Sequence, residues 1–356
     1  MTEQDTSSDI HIRTEGRAGR ITLTRPKALN ALTYDMALAI EDALDSWAGD
    51  DGVALVIIDA EGDKAFCAGG DVQKLYHTGR AGDFDYGRRF WRDEYRLNAK
   101  IAEYPKPYVA FMQGFTMGGG VGISCHGTHR VVCDSSRIAM PECGIGLVPD
   151  VGGSLLLARA PGRLGEYLAL TTARMGPGDA IYAGFADIFI PQDDWPGLIA
   201  RLCESGDTAD IAEAGRTPPH SALSDLLHDI DAHFSGDTLA DILEALRGSD
   251  TEFAAQALEA LSRNSPLSMA CAVEMLHRLR GPAANIRRAL ELEYRYTFRA
   301  MEHGDFLEGV RAAVIDKDRA PDWQHDLDTL PPHAATDMLM PLGEDALGLH
   351  KKDDDT

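Results

Sequence analysis

The sequence predicts an α/β layer protein whose C-terminal half is mostly helical. Short apolar runs alternate with helical stretches as far as about residue 205, the pattern of helices packed on a largely parallel sheet. Past about Gly206 the composition changes. Residues 220–234, 238–247, 252–262, 266–280 and 284–303 then each repeat apolar side chains at helical spacing. A chain of 356 residues holds about two domains and buries a core without disulfide staples. The expected division is a core over 1–205, a helical region over 206–335 and a mobile tail over 336–356, which ends in KKDDDT.

Taken in order, IHIRT (10–14) and RITLT (20–24) alternate like strands, and RPKALNALT follows as a loop. Thr33 suits a helix N-cap with Asp35 in the first turn. Met36, Ile40, Leu44 and Trp47 then form one apolar helix face. VALVII (53–58) is continuously apolar, as in a strand covered on both faces. After the glycine turn KAFCAGGD, an aromatic-rich helical stretch runs from about 84 to 103, ended by Pro105 and Pro107. YVAFMQ (108–113) is another buried strand leading into GFTMGGGVG. A helix over about 119–126 and a strand over 130–133 should follow. In the C-terminal half, Ser265-Pro266 is a capping Ser followed by Pro at the first helical position. Leu267, Val273, Leu276 and Leu279 line one helix, and Ile286, Leu290, Tyr294, Phe298 and Met301 line another.

Hydrophobic residues make up 44% and charged ones 26%, which excludes disordered and collagen-like chains. No apolar run reaches the ~18–20 residues of a membrane span. The start MTEQDTSSD has neither the basic nor the apolar part of a secretory signal, so a cytoplasmic location is expected. A net charge of −23 excludes nucleic acid as a partner, because phosphate neutralisation needs a basic surface. Any phosphorylated ligand must therefore be held by local basic groups and backbone N–H groups. Cys67, Cys125, Cys133, Cys143, Cys203 and Cys271 form no CxxC pair. They fit buried thiols of a reducing compartment better than a zinc site, and no metal is expected.

Three motifs carry chemistry. FCAGGD (66–71) is either a tight turn or a loop presenting N–H groups to a ligand oxygen. FTMGGGVG (115–122) places three consecutive glycines where a strand enters a helix, at roughly 1 kcal/mol each relative to Ala. That cost implies close approach to the backbone, by a neighbouring helix or by a ligand. Each loop follows an apolar strand, and two N–H groups aimed at one point would make an oxyanion hole. MPECGIGLVPDVGG (140–153) holds Glu142 and Asp150 as its only charges. Carboxyls among apolar neighbours are desolvated, which raises their pKa and suits proton transfer; Asp150 could equally cap a helix beginning at Val151. Two further patterns are weaker. GFTMG has the shape of a nucleophile elbow with Thr116 in place of Ser, and Cys67 could act with His126 or His129 as base. No GxxxxGK[ST], HExxH or intact GxGxxG is present.

At these residues the chain resembles the crotonase (enoyl-CoA hydratase/isomerase) superfamily. RPKALNALT, KAFCAGGDV, KPYVAFMQGFTMGGGVGIS and MPECGIGLVPDVGG occur in that family's order over about residues 10–190. The resemblance implies a spiral of ββα repeats, an acyl-CoA substrate that brings its own coenzyme A and needs no other cofactor, and an oxyanion hole from the N–H groups of Gly70 and Gly119. Ala68 and Gly69 would border the CoA with Gly70, and Arg25 and Lys27 are candidates for its phosphates. Hydratases of the family carry a Glu where this chain has Gly122, and they need two carboxylates there. The chain is more similar to the branch that hydrolyses 3-hydroxyisobutyryl-CoA, a step of valine catabolism. That likeness rests on TMGGGVG, AMPE, GLVPDVGG, EYRLN (94–98), and the stretch EYR to DFLEGVRAAVIDKD (293–318). It implies Glu142 and Asp150 as the catalytic pair, with Glu94 and Gly119 also on the substrate. A hydratase or isomerase reaction and a non-catalytic acyl-CoA sensor are the alternatives. Superfamily members often form trimers or hexamers, so a homo-oligomer is also implied, unless the helical half covers the surface they use.

Overall fold

The computed structural model describes residues 9–349. Residues 1–8, over which no secretory signal was expected, and 350–356, the end of the expected tail, lie outside them. The chain opens with an antiparallel hairpin, β1 (Ile10–Glu15) and β2 (Ala18–Leu23). Next comes α1 (Tyr34–Ala48), whose expected cap is in place: the Thr33 side chain accepts the Met36 N–H. Then β3 (Leu55–Ala60), β4 (Ala65–Cys67), α2 (Val72–Arg80) and α3 (Phe84–Ala102) lead to β5 (Tyr108–Met112), β6 (Phe115–Met117) and α4 (Gly119–Gly122). A third pair, β7 (His129–Val132) and β8 (Arg137–Ala139), precedes α5 (Gly153–Arg159), α6 (Leu164–Thr171) and α7 (Pro177–Tyr182).

The first strand of each pair joins a six-stranded sheet of order β1-β2-β3-β5-β7-β9, where β9 is Ile188–Phe189. The second joins a parallel three-stranded sheet, β4-β6-β8. This repeated hand-over between two sheets is the spiral of ββα turns. Because side chains alternate across a strand, the apolar run Leu55–Ile58 of β3 serves both faces of the sheet. Val56 and Ile58 enter the main core, while Leu55 and Ile57 enter a second core with Val109, Phe111 and Val131. That second face is covered by α8 (Trp195–Ser205), through Trp195, Leu198 and Leu202.

The helical half continues through α9 (Ala209–Ala214), α10 (Ala222–His233), α11 (Leu239–Arg247), α12 (Glu252–Leu261), α13 (Pro266–Leu279), α14 (Ile286–His303), α15 (Phe306–Val310) and α16 (Ala334–Met338). Five of these follow the predicted amphipathic stretches to within two residues. Ser265 caps α13 by accepting the Ser268 N–H, with Pro266 in the first turn. One apolar cluster joins Ile21 and Ile58 of the sheet to Leu276, Leu290 and Phe306 of the helical half.

Two expectations change. The helix expected over 119–126 spans only Gly119–Gly122, too glycine-rich to propagate. Residues 336–349, expected in a mobile tail, are anchored in part: Met338 and Leu339 are buried, and the Arg299 guanidinium donates to the carbonyls of Met338 and Met340. All six cysteines are free and buried. Among the described residues no helix is long and apolar enough to cross a membrane.

Candidate active site

Both glycine loops lie at the ends of strands of the three-stranded sheet. The chain leaves β4 through Gly69, whose φ of +114° favours glycine. The Leu32 N–H donates to the Gly69 carbonyl (2.9 Å), and the Asp71 N–H to the Leu32 carbonyl (2.8 Å). The loop is thereby pinned on both sides of Gly70, while the Gly70 N–H has no acceptor among the described residues. The neighbouring strand β6 ends in Gly118 (φ +47°), after which Gly119 opens α4. A first-turn helical N–H has no intrahelical partner. A Cβ added at Gly119 would lie 3.2 Å from the Gly70 nitrogen and 3.0 Å from Glu94 Oε1. The two sequence-predicted donors therefore come together, with a carboxyl beside them.

These groups line a cavity of about 210 Å³ with Ala68, Gly69, Glu94, Met117, Glu142, Asp150, Phe306 and Val314 among its walls. Glu94, Glu142 and Asp150 are 3%, 4% and 4% exposed, so all three are desolvated. Burial, joined by the nearby Asp150 and Glu293 carboxylates, pushes the Glu94 and Glu142 carboxyls well above the usual range. Burial pushes Asp150 up, the Tyr95 hydroxyl, which donates to Asp150 Oδ2 at 2.7 Å, opposes the shift, and the net value is about 7. Asp150 caps no helix: α5 starts at Gly153 with Gly152 at its N-cap. Glu142 Oε1 lies 2.8 Å from where a Gly118 Cβ would stand, so this side chain reaches across to the second loop. Its Oε2 is buried without a hydrogen-bond partner among the described residues.

The remaining expected residues sort by geometry. Lys27 is exposed on the turn Pro26–Ala28. The Ala68 N–H donates to the Leu29 carbonyl at 3.0 Å, which ties that turn to the cavity rim. Arg25 is engaged instead: it donates to the Ala31 carbonyl (2.6 Å) and pairs with Asp71 and Asp9. The weaker alternatives lose their ground. Thr116 is fully buried in β6. Burial pushes the Cys67 thiol up to about 12, which makes it a poor nucleophile. His126 Nε2 is bonded to the Val151 carbonyl at 2.7 Å.

Several site residues escaped the sequence reading. Asn98 and Tyr95 share the buried face of α3 with Glu94. A Cβ at Gly122 would meet Asn98 Nδ2 at 2.7 Å and Val151 Cβ at 2.8 Å, so that position has no room for a glutamate. The helical half holds the Glu142 turn: the Ser265 N–H donates to the Cys143 carbonyl (2.9 Å) and the Tyr296 hydroxyl to the Gly146 carbonyl (3.0 Å). EYRLN at 94–98 marked the right helix but not which of its faces is buried.

Residues 18–339 match the family described as enoyl-CoA hydratase/isomerase. The chain is 42% identical over 323 residues to the mitochondrial 3-hydroxyisobutyryl-CoA hydrolase of Xenopus tropicalis, covering 88% of this chain and 83% of that protein. To the Homo sapiens protein of the same name it is 36% identical over 334 residues, 90% and 85% of the two chains. A crystal structure described as an enoyl-CoA hydratase from Rhodobacter sphaeroides 2.4.1 superposes with a TM-score of 0.91 at 57% identity, covering 96% of this chain and 99% of that one. One described as a carnitinyl-CoA dehydratase from Mycobacterium thermoresistibile gives 0.89 at 40%, covering 94% and 97%.

Proposed function

The chain belongs to the enoyl-CoA hydratase/isomerase family, and on that premise we infer that it is a 3-hydroxyisobutyryl-CoA hydrolase, the activity for which its vertebrate relatives are named. The observation that carries this reading is the placement of buried Glu142 across from the Gly70 and Gly119 amides with no second carboxylate at Gly122.

The thioester carbonyl oxygen accepts the Gly70 and Gly119 N–H groups. They stabilise the charge that develops as the carbon becomes tetrahedral. The Glu142 carboxylate attacks that carbon, or takes a proton from a water that does. The C–S bond then breaks and the CoA sulfur leaves as thiolate and is protonated. On the first route water cleaves the resulting anhydride; on both, the products are the free acid and CoA. Asp150, oriented by Tyr95, holds the water or the substrate hydroxyl, and Glu94 binds the 3-hydroxyl from the opposite wall. Lys27, Ala68 and Gly69 border the CoA, whose phosphates need local basic groups on so acidic a chain. Oxygen-18 incorporation in a single turnover distinguishes the two routes: only the anhydride route can leave label in the Glu142 carboxyl.

The name of the Rhodobacter relative favours a second reading, hydration of an enoyl-CoA. Asn98 and Val151 fill the space at Gly122 that a second carboxylate would need, which counts against it. Thiol release separates the two. With 3-hydroxyisobutyryl-CoA and a chromogenic thiol reagent, one thiol should appear per ester consumed; turnover of crotonyl-CoA without thiol would support hydration instead.

The site acts through carboxylates whose pKa burial has raised, so kcat should rise with pH. Protonated Asp150 cannot accept a proton, and the acid limb should fall near the value of about 7 set by its burial. As the carboxyls interact, this limb belongs to the cluster. A flat profile from pH 5 to 8 would contradict the role given to Asp150. The named relatives are mitochondrial; a cytoplasmic location for this chain is our proposal, and its six free thiols suit a reducing compartment.

A further inference from the structure

Glu293 is a fourth buried carboxyl at this site, and the mechanism above does not use it. It lies on α14, fully buried, yet its two oxygens reach the turn that carries Asp150. Oε2 accepts the Gly152 N–H at 2.8 Å. Oε1 accepts the Ser154 N–H at 3.3 Å and the Ser154 hydroxyl. The turn needs such a hold. Val151 is a β-branched residue at φ +53°, a conformation that costs energy and persists only where surroundings impose it. From the other side, His126 Nε2 bonds the Val151 carbonyl at 2.7 Å. Glu293 and His126 thus clamp one strained turn, with Asp150 at its start and Val151 against Gly122.

We propose that Glu293 is the positioning residue of the site: it holds the turn 150–154 so that Asp150 faces the acyl group. The proposal rests on the hydrolase reading. Three donors on two oxygens are the acceptor pattern of a carboxylate. Burial pushes the Glu293 carboxyl up, the Ser154 and Gly152 donors oppose the shift, and the net value is about 8. The ionisable groups facing Asp150 are Glu94 and Tyr95 from α3, Glu142 from its turn, Glu293 from α14, and His126, which burial pushes down to about 4 and so keeps neutral.

The test is Glu293→Gln in the full chain, with 3-hydroxyisobutyryl-CoA as probe and thiol release as readout. A carboxamide keeps the shape but sets an NH2 group against one of the N–H donors. The expected result is a cooperatively melting protein with near-native KM and a kcat lowered about 10²-fold, the effect of a small misplacement of a catalytic group. A merely structural role would lower the melting temperature and leave the kcat of the folded protein native. Unchanged kcat in the folded variant, or a kcat lowered only together with a raised KM, overturns the proposal. If Glu293→Gln does not fold, Glu293→Asp decides, because the shorter acid keeps the charge but cannot span Gly152 and Ser154. Lowered kcat at native KM supports the proposal, and native kcat overturns it. A wild-type protein that releases no thiol would instead overturn the hydrolase reading itself.

Discussion

Glu142→Gln should bind the CoA ester as the native protein does and lose turnover by about 10³-fold, within the range for a positioned acid–base group. The amide is nearly isosteric, so the cavity and the two loop amides stay as they are. What disappears is the carboxylate whose Oε1 lies 2.8 Å from the position a Gly118 Cβ would take. Stability supplies a second check. The folded-state pKa of Glu142 is raised, so the native state holds a proton that the unfolded chain has released. Its contribution is therefore complete below the usual carboxylate pKa and is lost as pH rises towards the raised value. Glutamine has no such dependence, so the variant should melt above the wild type at pH 8 although it is nearly inactive. Hydrolysis at the native rate would remove Glu142 from the chemistry.

Gly119→Pro should fail for a different reason, and Gly119→Ala isolates it. Both add a Cβ 3.0 Å from Glu94 Oε1 and 3.2 Å from the Gly70 nitrogen, so both pay for crowding. Gly119 is the first residue of α4, a position whose backbone suits proline. The two variants thus differ chiefly in the N–H that proline lacks. The ratio of their kcat values should be ~10²–10³, the worth of one oxyanion donor. Equal rates would mean that this amide does not touch the acyl oxygen.

The sequence disclosed what local chemistry determines. Thr33 and Ser265 marked helix starts because a side-chain oxygen there satisfies an orphan N–H. The runs at 53–58 and 108–113 marked doubly covered strands. The triple glycine marked a place where groups approach the backbone, and Gly70, Gly119, Glu142 and Asp150 do line one cavity. What stayed hidden depends on contacts distant in the chain. Glu293 meets Gly152 across 141 positions, and no periodicity signals that a helix of the C-terminal half clamps a turn of the first. Phe306 and Val314 wall the cavity for the same reason. Asp150 was ambiguous because a carboxylate before two glycines serves equally as a cap or a buried acid; the start of α5 at Gly153 and the Tyr95 hydroxyl, brought by α3, separate the two. Arg25 looked available for phosphate because Asp71, its partner, is 46 residues away.

A crystal structure of Glu142→Gln with intact 3-hydroxyisobutyryl-CoA tests the central claim most directly. The account predicts the thioester oxygen within ~3 Å of both the Gly70 and Gly119 nitrogens, with the residue 142 carboxamide against the carbonyl carbon and the 3-hydroxyl between Glu94 and Asp150. A thioester oxygen turned away from either amide, or a carbonyl carbon beyond the reach of residue 142, would contradict it.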